Sequence, residues 1–141
     1  MIWFEKYLGK PYQWGGIDSS FDCLTLVLTI VYERFGIKAI PEGDVPQNWA
    51  EHDRERYWRE ALRYGDIVPT PHLVRPEDIV FFRFQGYPSH AGVMVDKNRF
   101  IHILEKDFVR VDNIRIHPWR ERFWGAIRIA KTAQENIPTS C

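Results

Sequence analysis

The chain is 141 residues long with a mass of 16.8 kDa, and 45% of its residues are hydrophobic. This composition excludes a disordered protein, and the length is typical of one folded domain. Nineteen basic residues balance nineteen acidic ones, so the net charge does not indicate binding to nucleic acid. Two cysteines are too few for a disulfide framework or a four-cysteine zinc site.

The sequence pattern predicts a single domain over residues 1–130 and a polar tail at 131–141. The longest uncharged apolar stretch, residues 23–32, is too short to cross a membrane, so we expect no membrane insertion. The N-terminus lacks the basic start and long apolar core of a Sec-type signal peptide. We therefore expect the protein to be made in the cytoplasm without a signal peptide.

The first part of the chain has helical patterns interrupted by glycine. Residues 2–8 predict one or two short amphipathic helical turns, and the glycines at 15 and 16 predict an extended loop after them. Ser19 and Asp22 have the spacing of a capping box with Ser19 as the N-cap, which predicts a helix over 22–35. That helix is apolar nearly all round, so we expect it to be buried. Residues 48–64 predict a charged, mostly exposed helix.

The second half of the chain changes to the period of two that is typical of strands. Five short strands are predicted, at 79–84, 90–95, 100–104, 108–112 and 123–129. Turn residues separate them, as in an antiparallel meander. Helices followed by strands indicate an α+β fold in which the buried helix packs on the antiparallel sheet.

Cys23 is a candidate nucleophile because it lies in the first turn of the buried helix. Unpaired backbone N–H groups and the positive end of the helix dipole favour a thiolate there. The alternative is that Cys23 is an ordinary core residue, since free cysteine is among the most buried residue types. The glycine- and serine-rich segment before it favours an open cleft at this helix end.

A nucleophilic thiol needs a base, which is normally a histidine oriented by a third group. Of the five histidines, His52, His72 and His117 lie in segments predicted to be exposed. His90 and His102 lie in predicted strands among apolar residues, which makes them the candidate pair. The alternative for this pair is two partly buried histidines that bond only to backbone groups.

The spacing of the two histidines gives a geometric test. If residues 96–98 form a three-residue hairpin loop with Asn98 in the left-handed region, His102 lies opposite Gly92 and diagonally beside His90 on the same face. A loop of two or four residues would place the two rings on opposite faces of the sheet.

With the three-residue loop, Met94 and Leu104 lie on the same face of the sheet as the two histidines. We expect this face to pack against the Cys23 helix. A zinc site is a rival interpretation, but two histidines and one cysteine lack an evident fourth ligand, so no metal is predicted.

Five segments, in this order and spacing, resemble the NlpC family of cell-wall cysteine peptidases: 11–16, 21–23, 76–82, 89–93 and 100–102. The resemblance implies a papain-like fold and a thiol enzyme without a cofactor. It implies Cys23 as the nucleophile, His90 as the base, and His102 as the residue that orients His90. It also implies that the hydroxyl of Tyr12 lies near the developing oxyanion and that Asp22 meets the amine of the substrate. The alternative for Asp22 is that it serves only as the carboxylate at the N-terminus of the helix.

The family typically cleaves peptidoglycan stem peptides, commonly between D-glutamate and the following diamino acid. This chain departs from the family pattern at Leu24-Thr25, where relatives have Ser-Gly, and at Glu77, where they have Gly. A member without a signal peptide resembles wall peptidases encoded among phage tail genes, so tail proteins are expected partners. The alternatives are a tail assembly protein with little activity, or a thiol amidase or acyltransferase that acts on a substrate outside the wall.

Overall fold

The helix that carries Cys23 is confirmed. The computed structural model describes residues 2–38, 49–51 and 53–130, and in it α1 spans Cys23–Phe35. Gly36 ends the helix with a φ of 69°, a left-handed conformation that glycine adopts without strain. The N-cap is Asp22 rather than Ser19, because the Asp22 side chain accepts from the Thr25 N–H while the Thr25 hydroxyl accepts from the Asp22 N–H. The capping box therefore lies three residues later than predicted.

Six antiparallel strands form one sheet in the order β1-β6-β2-β3-β4-β5. Their bounds are Gly65–Val68, Ile79–Phe84, Tyr87–Met94, Arg99–His102, Arg110–Asn113 and Phe123–Ile129 for β1 to β6. Strands β2 to β5 form the predicted meander, and β6 returns to pair with β2 on its other side. Strand β1, at the edge of the sheet, was not predicted. The α+β class is confirmed.

The two faces of the sheet bury different groups. One face packs against α1 through Leu26 and Ile30, which belong to one core cluster with Ala91 and Val93 of β3. The opposite face forms a second core cluster that includes Met94. The expectation that Met94 packs against the Cys23 helix is therefore wrong, because the even-numbered residues of β3 point away from α1.

The predicted exposed helix at 48–64 is replaced by three short pieces. A 3₁₀ turn covers Trp49–Glu51, α2 covers Arg56–Ala61, and a second 3₁₀ turn covers Leu62–Tyr64. Trp49 and Tyr57 are buried, and their rings pack 4.5 Å apart. This segment, the three pieces between Trp49 and Tyr64, is therefore partly buried and is not an exposed surface helix. We call it the cover beside α1. At 2–8, where one or two helical turns are predicted, the structure has a 3₁₀ turn at Glu5–Tyr7.

Two predictions concern residues that the structure does not describe. The polar tail at 131–141 and His52 lie outside the described residues. Among the helices of the described ranges, none has the length and apolar composition that crossing a lipid bilayer requires.

Candidate active site

Cys23 is the first residue of α1, and Asp22 fixes its position from both sides. One carboxylate oxygen of Asp22 accepts from the N–H of Thr25 at 2.8 Å inside the helix. The other accepts from the N–H of Gly15 at 2.7 Å in the preceding loop. Asp22 is only 4% exposed, so it joins the loop to the helix and holds the thiol at their junction.

The thiol lies against strand β3. The backbone N–H of Ala91 points at the Cys23 sulfur and lowers the pKa of the thiol. The N–H groups of Cys23 and Leu24 also lie at the sulfur and lower its pKa. Burial and the neighbouring Asp22 carboxylate outweigh them and raise the pKa of the thiol to about 12. The resting group is therefore a neutral, half-buried thiol.

The hairpin between β3 and β4 has the predicted three-residue register. Met94 pairs with Phe100, and the N–H of Val95 donates to the carbonyl of Arg99 at 2.9 Å. Nε2 of His90 lies 2.8 Å from Nδ1 of His102, so the two rings are in direct contact on one face. The predicted juxtaposition of the histidines is confirmed.

The conformation of the hairpin loop differs from the prediction. Asn98 is not among the residues with a positive φ. Instead, Oδ1 of Asp96 accepts from the N–H groups of Asn98 and Arg99, both at 2.8 Å. An aspartate side chain that closes a turn onto the following backbone removes the need for a left-handed residue. The odd loop length, rather than the conformation of Asn98, sets the register.

Aromatic rings enclose the histidine pair on the face opposite α1. The ring of Trp119 lies 4.8 Å from that of His102 and 5.8 Å from that of His90, measured between centroids. Phe82 and Phe100 complete the enclosure, and His90 and His102 are 6% and 0% exposed. Burial lowers the pKa of both histidines, that of His90 well below its ordinary value of 6.5. Both rings are therefore neutral at neutral pH.

Sequence reasoning missed Asp112, which is the next polar partner in the site. Its Oδ2 lies 2.6 Å from Nε2 of His102. The side chain of Arg110 donates to the same carboxylate from Nε at 2.7 Å and from Nη2 at 3.1 Å. The only signal in the sequence was that Arg110 and Asp112, two residues apart in a predicted strand, share one face.

Cys23 and His90 line one open groove of about 310 Å³. Tyr12 and Trp14 line it from the N-terminal loop, and Trp49 and Tyr57 line it from the cover beside α1. Burial, with the nearby carboxylates of Asp22 and Glu105, raises the pKa of Tyr12 to about 12, so its hydroxyl keeps its proton. Four of the five residues that the family resemblance implies, Tyr12, Asp22, Cys23 and His90, line this groove. The fifth, His102, is buried behind it and contacts His90.

The other histidines lie away from this groove. Nδ1 of His72 lies 3.4 Å from Nη1 of Arg115, and the exposed ring of His117 contacts Glu121 at 3.2 Å. Over residues 2–38, 49–51 and 53–130, no three His, Cys, Asp or Glu side chains are arranged to hold a metal ion.

Residues 9–128 match the NlpC/P60 family. The chain belongs to this family. The resemblance inferred from the sequence motifs is therefore confirmed, and it extends over most of the chain.

Among curated proteins, the chain is 30% identical to the gamma-DL-glutamyl hydrolase of Bacillus subtilis over 88% of its own length and 27% of that protein. It is 27% identical to the murein DD-endopeptidase MepH of Escherichia coli, over 88% of the chain and 42% of that protein. The chain thus spans between about a quarter and a half of the length of these relatives.

Solved structures support the papain-like fold of the family. The NlpC/p60 domain of the peptidoglycan hydrolase SagA matches with a TM-score of 0.60 at 21% identity, covering 88% of this chain and 91% of that one. An NlpC/P60 family protein from Bacillus cereus matches with a TM-score of 0.61 at 27% identity, covering 87% of this chain and 36% of that one.

Proposed function

We propose that this protein is a cysteine peptidase that hydrolyses peptidoglycan stem peptides at the bond between D-glutamate and the following diamino acid. The observation that carries the proposal is the thiol of Cys23, which shares an open groove with the buried base pair of His90 and His102. Two relatives with a domain of this family are named for glutamyl hydrolysis and for cleavage of murein. These names support the choice of a wall peptide as the substrate.

The resting site consists of a neutral thiol and a neutral imidazole, because burial raises the pKa of Cys23 and lowers that of His90. In the proposed reaction, the sulfur attacks the amide carbon while His90 accepts the thiol proton. The leaving amine then takes that proton from His90, and a thioester forms on Cys23. Water attacks the thioester with His90 again as the base, which releases the acid and restores the thiol.

Negative charge develops on the carbonyl oxygen during the attack, and the groove offers donors for it. Tyr12 keeps its hydroxyl proton, because its pKa is raised to about 12. The N–H of Cys23 lies in the first turn of α1, where helical N–H groups have no partner within the helix. We propose that these two groups form the oxyanion hole.

The charge of the groove favours a substrate with an ammonium group. Asp22 and Glu105 line the groove, and none of the described residues that line it is Lys or Arg. The oxygens of Asp22 already accept two backbone N–H groups, so we propose that Asp22 attracts the amine of the stem peptide through its negative charge. Leu24, which stands where relatives have serine, lines the same groove, and we propose that its larger side chain restricts which substrates fit.

The experiment that tests this function is digestion of purified muropeptides with the parent protein and with Cys23→Ala, followed by mass spectrometry of the products. We expect the parent to release fragments cut after D-glutamate, and Cys23→Ala to release none. Cys141→Ser is the matched control and should retain the parent rate. Equal rates for Cys23→Ala and the parent would refute the thiol mechanism.

The acyl group trapped on Cys23 distinguishes this function from thiol amidase or acyltransferase activity outside the wall. Rapid acid quenching during turnover, followed by peptide mass spectrometry, should find a glutamyl-containing adduct on the peptide that includes Cys23. An adduct of another mass from a non-wall substrate would support the alternative.

Association with a phage tail, expected from the sequence, stays a prediction. Co-purification with tail proteins from intact particles tests it. Stable association without turnover on any wall preparation would instead support a tail assembly role.

A further inference from the structure

The contacts of the histidine pair continue past His102 to the neighbouring strand. His102 of β4 pairs with Arg110 of β5, so Asp112 lies diagonally opposite His102 on the same face. Oδ2 of Asp112 is 2.6 Å from Nε2 of His102, and Nδ1 of His102 is 2.8 Å from Nε2 of His90. Three side chains on three strands thus form one continuous line of hydrogen bonds.

The positions of the hydrogens along this line follow from the ionised state of Asp112 at its end. The hydrogen bond from His102 and the charge of Arg110 hold the pKa of Asp112 far below its usual range, so the ionised carboxylate can only accept. Nε2 of His102 must therefore carry the proton. Since burial keeps His102 neutral, its Nδ1 carries none and accepts from Nε2–H of His90. Nδ1 of His90 is left as the unprotonated ring nitrogen.

We propose that Asp112 is a positioning residue that fixes the tautomer of His102 and, through it, leaves Nδ1 of His90 free to act as the base. A ring nitrogen can accept the thiol proton only if it carries no hydrogen, so the wrong tautomer would block the base. Partners one contact removed from a reactive group commonly set ring orientation and tautomer in this way. The kinetic part of this inference rests on the proposed hydrolase function.

Arg110 holds Asp112 in place from the same strand. Its two contacts with the carboxylate are bidentate, a geometry that fixes orientation as well as distance. Its side chain is 50% exposed and that of Asp112 is 20% exposed, so this ion pair is the solvent-accessible end of the line. Asp107 also contacts Arg110, at 3.5 Å, but lies outside the line of hydrogen bonds through the two histidines, which makes it a matched control.

The direct test is the tautomer state, read from the ¹⁵N chemical shifts of the ring nitrogens in the intact protein. In the parent, both His90 and His102 should be protonated on Nε2. In Asp112→Asn the amide can donate as well as accept, so we expect the Nδ1-protonated form to become populated in both rings. Asp107→Asn should retain the parent pattern.

The second readout is kinetic. For Asp112→Asn we expect kcat to fall on the order of 10- to 100-fold with little change in KM, because the base is affected rather than the groove. Asp107→Asn should stay within about twofold of the parent. Asp112→Glu, which keeps a carboxylate, should restore the parent tautomers and part of the rate even if Asp112→Asn folds poorly.

Unchanged tautomers in folded Asp112→Asn would overturn the inference, as would an equal loss of kcat in Asp107→Asn. The NMR measurement needs no substrate, so it distinguishes a failure of this inference from a failure of the proposed function. If the parent protein cleaves no wall peptide but the tautomers still respond to Asp112, only the proposed function fails.

Discussion

His90 and His102 touch through Nε2 and Nδ1 at 2.8 Å, although they lie on different strands and twelve residues apart. The contact depends on the three-residue loop at 96–98, because side chains alternate between the faces of a strand. One residue more or fewer in that loop would turn His102 to the face that packs against α1. The contact that orients the proposed base, His90, therefore depends on the length of the hairpin loop as well as on the two histidines.

The pH dependence of activity follows from the burial of this pair. The pKa of His90 is well below 6.5, so the neutral ring persists at pH values where an exposed histidine is protonated. The pKa of Cys23 is raised to about 12, so the thiol keeps its proton well above neutral pH. We expect the acidic limb of kcat/KM to lie below pH 6.5 and no alkaline limb below about pH 9, measured on a muropeptide substrate. An acidic limb at or above pH 6.5 would contradict this prediction.

Stability should also depend on pH because of His90. Its pKa is lower in the folded state than the ordinary 6.5 of the unfolded chain, so below pH 6.5 the unfolded state binds more protons. The folded state therefore loses stability as the pH falls from 7 to 5, which thermal unfolding at the two values measures. His90→Asn should show a smaller loss, whereas the exposed His72→Asn should behave like the parent. An equal loss in His90→Asn and the parent would show that other groups are responsible.

Tyr12→Phe tests the proposed oxyanion hole. The substitution keeps the ring and removes only a hydroxyl, which stays protonated because the pKa is raised to about 12. Loss of one donor to a developing oxyanion lowers kcat by ~10²–10³-fold, and KM should change little. The exposed Tyr32→Phe on α1 is the control and should retain the parent rate. A change in KM alone would assign Tyr12 to substrate binding instead.

The parts of the site that the sequence predicted depend on local rules. The end of α1 at Gly36 follows from the glycine after an apolar helix, and the contact of His90 with His102 follows from loop length and alternation. Asp112 could not be predicted in the same way. The connection at 103–109 between β4 and β5 is irregular, and no rule of turn length sets the register across it.

Two other differences between prediction and structure, the side of the sheet on which Met94 lies and the presence of β1, also have physical causes. Alternation shows which residues share a face but not which face the helix covers, and this is why Met94 was assigned to the wrong side. Strand β1 has only four residues, and the exposed pair Asp66 and Ile67 breaks the alternation that would have revealed it. This segment is a strand because it pairs with β6, which lies far away in the sequence.

Gly92→Ala tests whether the close approach of β3 and β4 positions His102. An added Cβ would lie 2.7 Å from the carbonyl oxygen of Ile101 and 3.1 Å from Cβ of His102. Because the nearest atom belongs to the backbone, the strands must separate, and we expect a loss of about 1–3 kcal/mol in unfolding free energy together with a lower kcat.

Gly125→Ala is the matched control for this substitution. Its Cβ would meet the ring of Trp58 at 2.7 Å, so a side chain rather than a strand must move. Stability should fall here too, while kcat of the folded protein stays near that of the parent. Equal kcat in both variants would mean that the spacing at Gly92 does not position the base.

Asp78→Ala should reduce stability without changing the chemistry. Asp78 is 2% exposed and accepts from Nε and Nη2 of Arg128 at 3.1 and 2.9 Å, which ties the loop before β2 to β6. Its loss removes the carboxylate partner of the guanidinium, which keeps only the carbonyl of Leu73 as an acceptor, so we expect about 3 kcal/mol less unfolding free energy in urea. Asp53→Ala removes one partner of Arg59 in a solvent-exposed pair and should reduce the unfolding free energy far less than Asp78→Ala. Asp78 directly precedes the first residue of β2, at the opposite end of the strand from Phe82 and the histidines. We therefore expect kcat per folded molecule to stay at the parent value. A loss of kcat at a temperature where the variant is fully folded would contradict this separation of stability from chemistry.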